Sequence, residues 1–301
     1  MEIVVIWRVF QALGACTGPM ISRAMIRDRY DSTKAAQMLS TLMMIMAAAP
    51  IIGPLLGGGL LSLGSWRLIF WLMVIIGIVL FLSVNLLPET LEKEKRGSLS
   101  LGNSFRNYAF LLKSKKFMVY TMIVTFFYVA VYAFITGSSD IYINYFHIQP
   151  KVYSLLFGVN ILGVSLISMV NRRLVTHFNI SRILAISTSL AFIFSVILAI
   201  MGVTHSFGLL GIVIPMFLVF SMNGIVAACA NASALNTVSN DMSGSVAALL
   251  GSLQYGSGVL PSVLLAVFAD KTAATMTIII TISIFLSALM AWLGKEKLIS
   301  K

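Results

Sequence analysis

The sequence predicts an all-α, polytopic membrane protein, and three observations predict it. Hydrophobic residues make up 59% of the 301-residue chain and charged residues only 10%, whereas a water-soluble domain carries about 25% charged residues. Nine apolar runs are long enough to cross a bilayer, which takes roughly 20 residues of helix. The basic residues gather in the short connections between those runs, so the net charge of +11 marks membrane orientation and not a nucleic-acid-binding face. Mean hydropathy is +0.97.

The runs lie near residues 3–22, 36–63, 66–87, 117–136, 152–171, 183–204, 207–231, 245–268 and 273–294. Membrane strands are excluded, since the runs are twice the length of such strands and do not alternate. Glu2 and the late Arg8 do not make the basic start of a signal peptide. Leu13, Gly14, Ala15 and Cys16 imitate a lipoprotein cleavage box, but the apolar run continues past them to Ile21. Cys16 and Cys229 lie in apolar runs, with no CxxC and no nearby histidine pair, and read as packing residues.

Assigning the connections alternately to two sides puts seventeen basic residues on one side, in four clusters from Arg23 to Lys34, Lys93 to Lys116, Arg172 to Arg182 and Lys295 to Lys301. Only Arg67, Lys151 and Lys271 fall on the other. The positive-inside rule makes the first side cytoplasmic, with the carboxyl terminus inside. The longest connection starts with Glu89, Glu92, Lys93, Glu94, Lys95 and Arg96 and reads as a solvated linker. The expected organisation is therefore a three-span segment at 1–87, a cytoplasmic linker at 88–116, a six-span segment at 117–296 and a cytoplasmic tail at 297–301.

Weak internal symmetry is common in transporters. Val9, Phe10, Gly14 and Asp31 recur 210 residues later as Val219, Phe220, Gly224 and Asp241, and Pro50 recurs as Pro261 after a one-residue slip. Spans one to three then correspond to spans seven to nine, and spans four to six have no partner. The expectation is a parent of twelve spans in two halves, with three helices, roughly 95 residues including loops, ahead of Met1; a genuine nine-span protein is the alternative.

Arg8 is the one basic residue well inside a span, where an arginine costs about 2.5 to 3.5 kcal/mol on insertion scales. It is expected to face a watery cavity or a carboxylate, with snorkelling to the outer interface as the alternative. Gln11, three residues on, shares its helical face. In span two, Pro50 and Pro54 remove backbone donors, while Gly53 and Gly57, at i and i+4, permit close helix approach; a packing groove and a conformational hinge are both compatible with the run from Ala49 to Gly59. Asp140, beside Gly137 and Ser138, reads as a turn residue at a helix end. Tyr128 and Tyr132, in an aromatic-rich span four, are expected to line a cavity, since adaptable walls suit apolar ligands. His147, His177 and His205 lie near span ends and read as interfacial. No set of metal ligands is visible.

Arg8, Gln11 and Gly14 resemble the R-x-x-Q-x-x-G pattern of the fourth helix in major facilitator drug exporters, and Gly53, Pro54, Gly57 and Gly58 resemble the fifth-helix antiporter motif. Arg27-Asp28, Trp66-Arg67, Phe70-Trp71 and the exit Leu87-Pro88-Glu89-Thr90-Leu91 are similar to the Bcr/CflA branch of drug:proton antiporters, as are the stretches around Asn160, Asn231 and Gln254. Ala49 departs from the longer motif, where glycine is usual. The resemblance implies the major facilitator fold with nine of its twelve helices present. It also implies export of small amphipathic compounds across the plasma membrane of a bacterium by alternating access. The proton gradient would be the energy source, with no cofactor. Arg8, Gln11, Tyr128, Tyr132 and Asn160 would belong to the substrate and proton cavity, and Pro50 to Gly58 to the outer closure. The coupling acid would lie upstream of Met1. The partners implied are a small-molecule substrate, protons and the lipid bilayer, with no nucleic acid and a monomeric state. An importer or metabolite exporter on the same fold, or an inactive fragment, is the alternative. An embedded enzyme would need a paired acid, a nucleophile with its base, or ligands at membrane depth, and a channel would need charge rings or a filter repeat; neither pattern occurs.

Overall fold

The computed structural model describes residues 2–30, 32–87, 101–238, 242–268 and 272–299. Every element among them is helical. Seven helices among the described residues are long and apolar enough to cross a membrane, and they coincide with the third to ninth apolar runs. The chain divides into two compact units, Met1–Leu99 and Ser100–Lys301.

The first unit holds α1 (Glu2–Ala15), α2 (Thr17–Arg29), α3 (Ser32–Ser62) and α4 (Arg67–Asn85). The first apolar run is thus two helices where one continuous span was expected. Pro19 has no N–H to give to the carbonyl of Ala15, so the hydrogen-bond ladder lapses there. Local bonds bridge the joint: the Cys16 amide reaches the Ala12 carbonyl at 3.1 Å, and the Thr17 hydroxyl donates to the Gly14 carbonyl at 2.7 Å. The second run is the 31-residue α3, about 46 Å at the helical rise, and it passes through Pro50 and Pro54 without interruption. Asp31, Asp241 and the charged stretch from Glu89 to Arg96 lie outside the described residues.

The second unit opens with a helix where a solvated linker was expected. α5 (Leu101–Lys113) precedes α6 (Lys115–Ser139) by the single residue Ser114. Its Leu111 is fully buried in the core, and the Asn107 amide donates to the Ser245 hydroxyl at 3.4 Å. α6 does not stop at Asp140 but runs on as a π-helical segment, Asp140–Tyr145. Asp140 is therefore inside a 31-residue apolar span and not in a terminal turn; its carboxylate accepts from the Asn144 amide at 2.6 Å. α7 (Pro150–His177) begins with proline at a position that needs no donor. α8 (Ile180–Thr204) is capped by Asn179, whose side chain accepts from the Ser181 amide at 3.0 Å. Then follow α9 (Gly208–Ser221), α10 (Asn223–Leu235), α11 (Ser243–Gly256), α12 (Val259–Val267) and α13 (Ala274–Ile299). α9 with α10 makes one span, and α11 with α12 most of another; the joints fall at Met222 and at Ser257–Gly258.

Phe117, Ile123, Phe127 and Phe134 on α6, Leu184 and Leu198 on α8, Ile212 and Met216 on α9 and Ile280 on α13 form the buried centre of this unit. Lipid tails are as apolar as these side chains, so helices associate here through close packing and interhelical hydrogen bonds. At Gly224 a Cβ would collide with the Val164 carbonyl of α7 and lie 2.6 Å from the Ser168 hydroxyl. That hydroxyl donates to the Gly224 carbonyl at 3.3 Å. At Gly202 of α8 the space is taken by Thr277 of α13, 2.8 Å from its methyl carbon. α13 adds three donors: Ser287 to the Ile123 carbonyl at 2.8 Å, Thr281 to the Ser195 carbonyl at 2.7 Å, and the Trp292 indole to the Ser189 hydroxyl at 2.9 Å. Three hydroxyls in the middle of α8 instead bond within their own helix, Ser187 to Ile183, Thr188 to Leu184 and Ser189 to Ala185.

Candidate functional site

In the first unit, the i, i+3 spacing of Arg8 and Gln11 sets both on one face of α1. The Arg8 guanidinium donates through Nη1 to Gln11 Oε1 at 2.9 Å. Its carbon lies 4.8 Å from the centre of the Phe70 ring on α4, within range for a cation–π attraction. Gln11 uses its amide nitrogen on Met73 Sδ at 3.5 Å. Trp7, Arg8, Gln11, Phe70, Met73 and Val74 border a groove of 330 Å³. Among the described residues the hydrogen-bond acceptor of Arg8 is thus a neutral amide, and its positive charge rests on an aromatic face. A guanidinium held in this way is fixed in direction while its remaining donors stay chemically competent toward an anionic or carbonyl-bearing group.

The antiporter-type motif lies in the middle of α3. A Cβ at Gly53 or Gly57 would meet nothing within 4 Å, so the close helix approach expected there is not made among the described residues. Of Pro50 and Pro54 only the helical backbone is described. Gly58 is half-buried.

In the second unit, Tyr128 and Tyr132 stand one turn apart on α6 with ring centres 6.1 Å apart. Tyr255 of α11 closes on Tyr128 edge to face, also at 6.1 Å. The joint between α11 and α12 is what admits Tyr132: a Cβ at Gly258 would sit 3.0 Å from its ring. The Tyr128 hydroxyl faces the side-chain amides of Asn223 and Gln254, and Gln254 is 4% exposed. These three helices therefore bring a rigid aromatic wall and two amides together. Such a surface suits planar amphipathic molecules with hydrogen-bonding edges. Asn160, 3% exposed on α7, donates to the Leu156 carbonyl at 2.9 Å. Its amide oxygen is buried without a partner, as are those of Asn223 and Asn231 on α10. Buried polar groups left unpaired are costly and concentrate at working surfaces.

Tyr255 and Asn223 are the members of this cluster that sequence reasoning did not select. An amide within an otherwise apolar run was the available signal for Asn223; Tyr255 carries none, because its role depends on the register of α11 against α6. Asp140 borders a separate 270 Å³ hollow with Thr136, Ser262, Thr272 and Thr275. Among the described residues no group of three or more His, Cys, Asp or Glu is placed to hold a metal.

Residues 1–262 match the family profile described as Major Facilitator Superfamily. The chain belongs to the major facilitator superfamily. It is a polytopic helical transporter and not an enzyme. It is 32% identical over 293 residues to the MFS-type transporter YdgK of Bacillus subtilis (strain 168), covering 96% of this chain and 72% of that one. With a bicyclomycin resistance protein homolog of Haemophilus influenzae the identity is 27% over 270 residues, 89% of this chain and 67% of the relative. With the multidrug transporter MdfA of Yersinia pestis it is 26% over 163 residues, 52% of this chain and 39% of the relative. Relatives named for bicyclomycin resistance and multidrug transport agree with the resemblance to the Bcr/CflA branch.

Proposed function

We propose that this transporter exports small amphipathic compounds across the plasma membrane, driven by the proton gradient and working by alternating access. The observation that carries the reading is the Arg8, Gln11 and Phe70 arrangement: a guanidinium in an apolar helix held by a neutral amide 2.9 Å away and by an aromatic face 4.8 Å away, beside a groove. A charge kept within the membrane is expensive, and residues that carry one there mark substrate or ion pathways. The aromatic and amide cluster around Tyr128 supplies an apolar wall with hydrogen-bonding edges, which suits a drug-sized ligand. The proton supplies the energy and no cofactor takes part. The seventeen-to-three distribution of basic residues supports an orientation with the carboxyl terminus in the cytoplasm.

The test uses inverted membrane vesicles from the host, with the chromosomal gene intact or carrying Arg8→Gln. Acidifying the vesicle interior should drive uptake of a fluorescent amphipathic dye with the intact gene. Uptake should collapse on adding a protonophore and fall with Arg8→Gln. Dye uptake indifferent to the pH gradient would sink the coupling, and gradient-driven loss of dye from preloaded vesicles would make the protein an importer.

A further inference from the structure

α5 has an exposed cationic and aromatic stripe beside the face by which it is packed. Leu111 is fully buried and Asn107 bonds to Ser245 of α11, so the face bearing these two is turned into the unit. Arg106, Phe110 and Lys113 follow one another at i, i+4 and i+7, a single stripe that flanks this face. Arg106 and Lys113 are exposed, and Phe110 between them is 59% exposed. Exposed Lys115 and Lys116 continue the charge into the first turn of α6. From Leu101 to Lys116 there is no acidic residue.

Two further facts place this face at a membrane surface. Ser114 alone separates α5 from α6, a membrane-length span, so the end of α5 is held at the bilayer boundary. The Tyr120 hydroxyl lies 3.3 Å from that of Ser181, which puts the start of α6 beside the start of α8 and hence beside Arg182 and the cationic end of α7. Arg172, Arg173 and Arg182 thus join the basic residues of α5 and α6 at this end, as on a surface opposed to an anionic leaflet.

We infer that α5 is an in-plane anchor that binds anionic phospholipid headgroups of the cytoplasmic leaflet. Phe110 enters the boundary between headgroups and acyl chains, while Arg106, Lys113, Lys115 and Lys116 pair with headgroup phosphates. A basic amphipathic helix binds such a surface through its apolar area and its charge together. Each basic residue near an anionic surface favours binding by about fivefold. Because α5 also touches α11, lipid bound there bears on the helix that carries Gln254 and Tyr255.

The purified 301-residue chain is placed in bilayers of phosphatidylcholine, with or without phosphatidylglycerol. Phosphatidylglycerol should raise the unfolding temperature, and salt should shrink that rise by screening. The variant Arg106→Gln/Lys113→Gln/Lys115→Gln/Lys116→Gln should lose the rise while unfolding normally in phosphatidylcholine; Lys151→Gln, at the opposite end of the span pattern, should keep it. An environment-sensitive dye at Phe110→Cys, with Cys16→Ser and Cys229→Ser, should be quenched by headgroup-labelled nitroxide lipid. A retained phosphatidylglycerol response in the fourfold variant overturns the inference. So does a dye that the lipid quencher cannot reach, which would mean that another part of the protein covers Phe110.

Discussion

Replacing Gly224 with alanine tests the packing of the second unit at its tightest crossing. The added carbon would overlap the Val164 carbonyl and lie 2.6 Å from the Ser168 hydroxyl oxygen and 2.9 Å from its backbone nitrogen. Carbon to oxygen contacts across helix interfaces settle near 3.3 to 3.6 Å, so α7 must retreat by roughly 1 Å. Retreat stretches the 3.3 Å bond from Ser168 to the Gly224 carbonyl beyond use, a loss of about 0.6 kcal/mol. Overpacking adds about 1 to 3 kcal/mol, and the better helix propensity of alanine returns up to about 1 kcal/mol. The net expectation is a destabilisation of about 1 to 3 kcal/mol. Gly251→Ala is the control, since a Cβ there meets nothing within 4 Å and only the propensity gain applies. Thermal unfolding of the purified chain in one detergent, followed by circular dichroism, ranks the variants. If Gly224→Ala unfolds at or above the temperature of Gly251→Ala, the argument that glycine is required for the α7 to α10 contact is wrong.

The orientation is checked with impermeant thiol reagents in a background lacking Cys16: Lys115→Cys should be labelled only from the cytoplasmic side and Lys151→Cys only from outside, and the reverse pattern inverts the topology. Gly57→Leu, introduced on the chromosome, should abolish efflux while the protein still reaches the membrane fraction; undiminished efflux removes α3 as a conformational hinge. Tyr255→Ala takes one edge from the Tyr128 cluster and should weaken dye binding by about threefold to tenfold, the equivalent of one aromatic pair. Equilibrium fluorescence titration reads this, and unchanged affinity would place the ligand elsewhere.

Spans three to nine were legible because length and hydropathy alone identify a membrane helix, and neither depends on neighbours. α5 was not, for its apolar positions are diluted by Asn103, Arg106 and Asn107, and the charged run before it set the character of the whole connection. The break after Ala15 was written in Pro19, but a proline within an apolar run permits either a kink or a stop, and only the surrounding bonds choose. Arg8 with Gln11 was legible through helical periodicity. Gly202 and Gly224 were not recognisable as close contacts, because which of 22 glycines faces a neighbour depends on the rotation of each helix in the bundle. The same register problem hid Tyr255, whereas Tyr128 and Tyr132 drew notice through the aromatic residues crowded into their span. Asp140 was misread because Gly137 and Ser138 resemble a turn, whereas α6 runs through them and the π-helical segment from Asp140 continues the span.

The hydroxyl bonds of the second unit bear on how the protein is made. α8 carries its acceptors with it: Ser187, Thr188 and Ser189 are satisfied by carbonyls one turn earlier. The middle of such a segment can move sideways from a translocation channel into lipid before any companion exists, since these three donors are already met. α13 is different, because Ser287 finds its acceptor on α6 and the Trp292 indole finds its own on α8. Ribosomes deliver α6 and α8 first and α13 last, so the dependent segment emerges when its acceptors are already in place. The order of translation and the order in which these bonds become possible coincide, and α13 acts as the closing stave of the bundle.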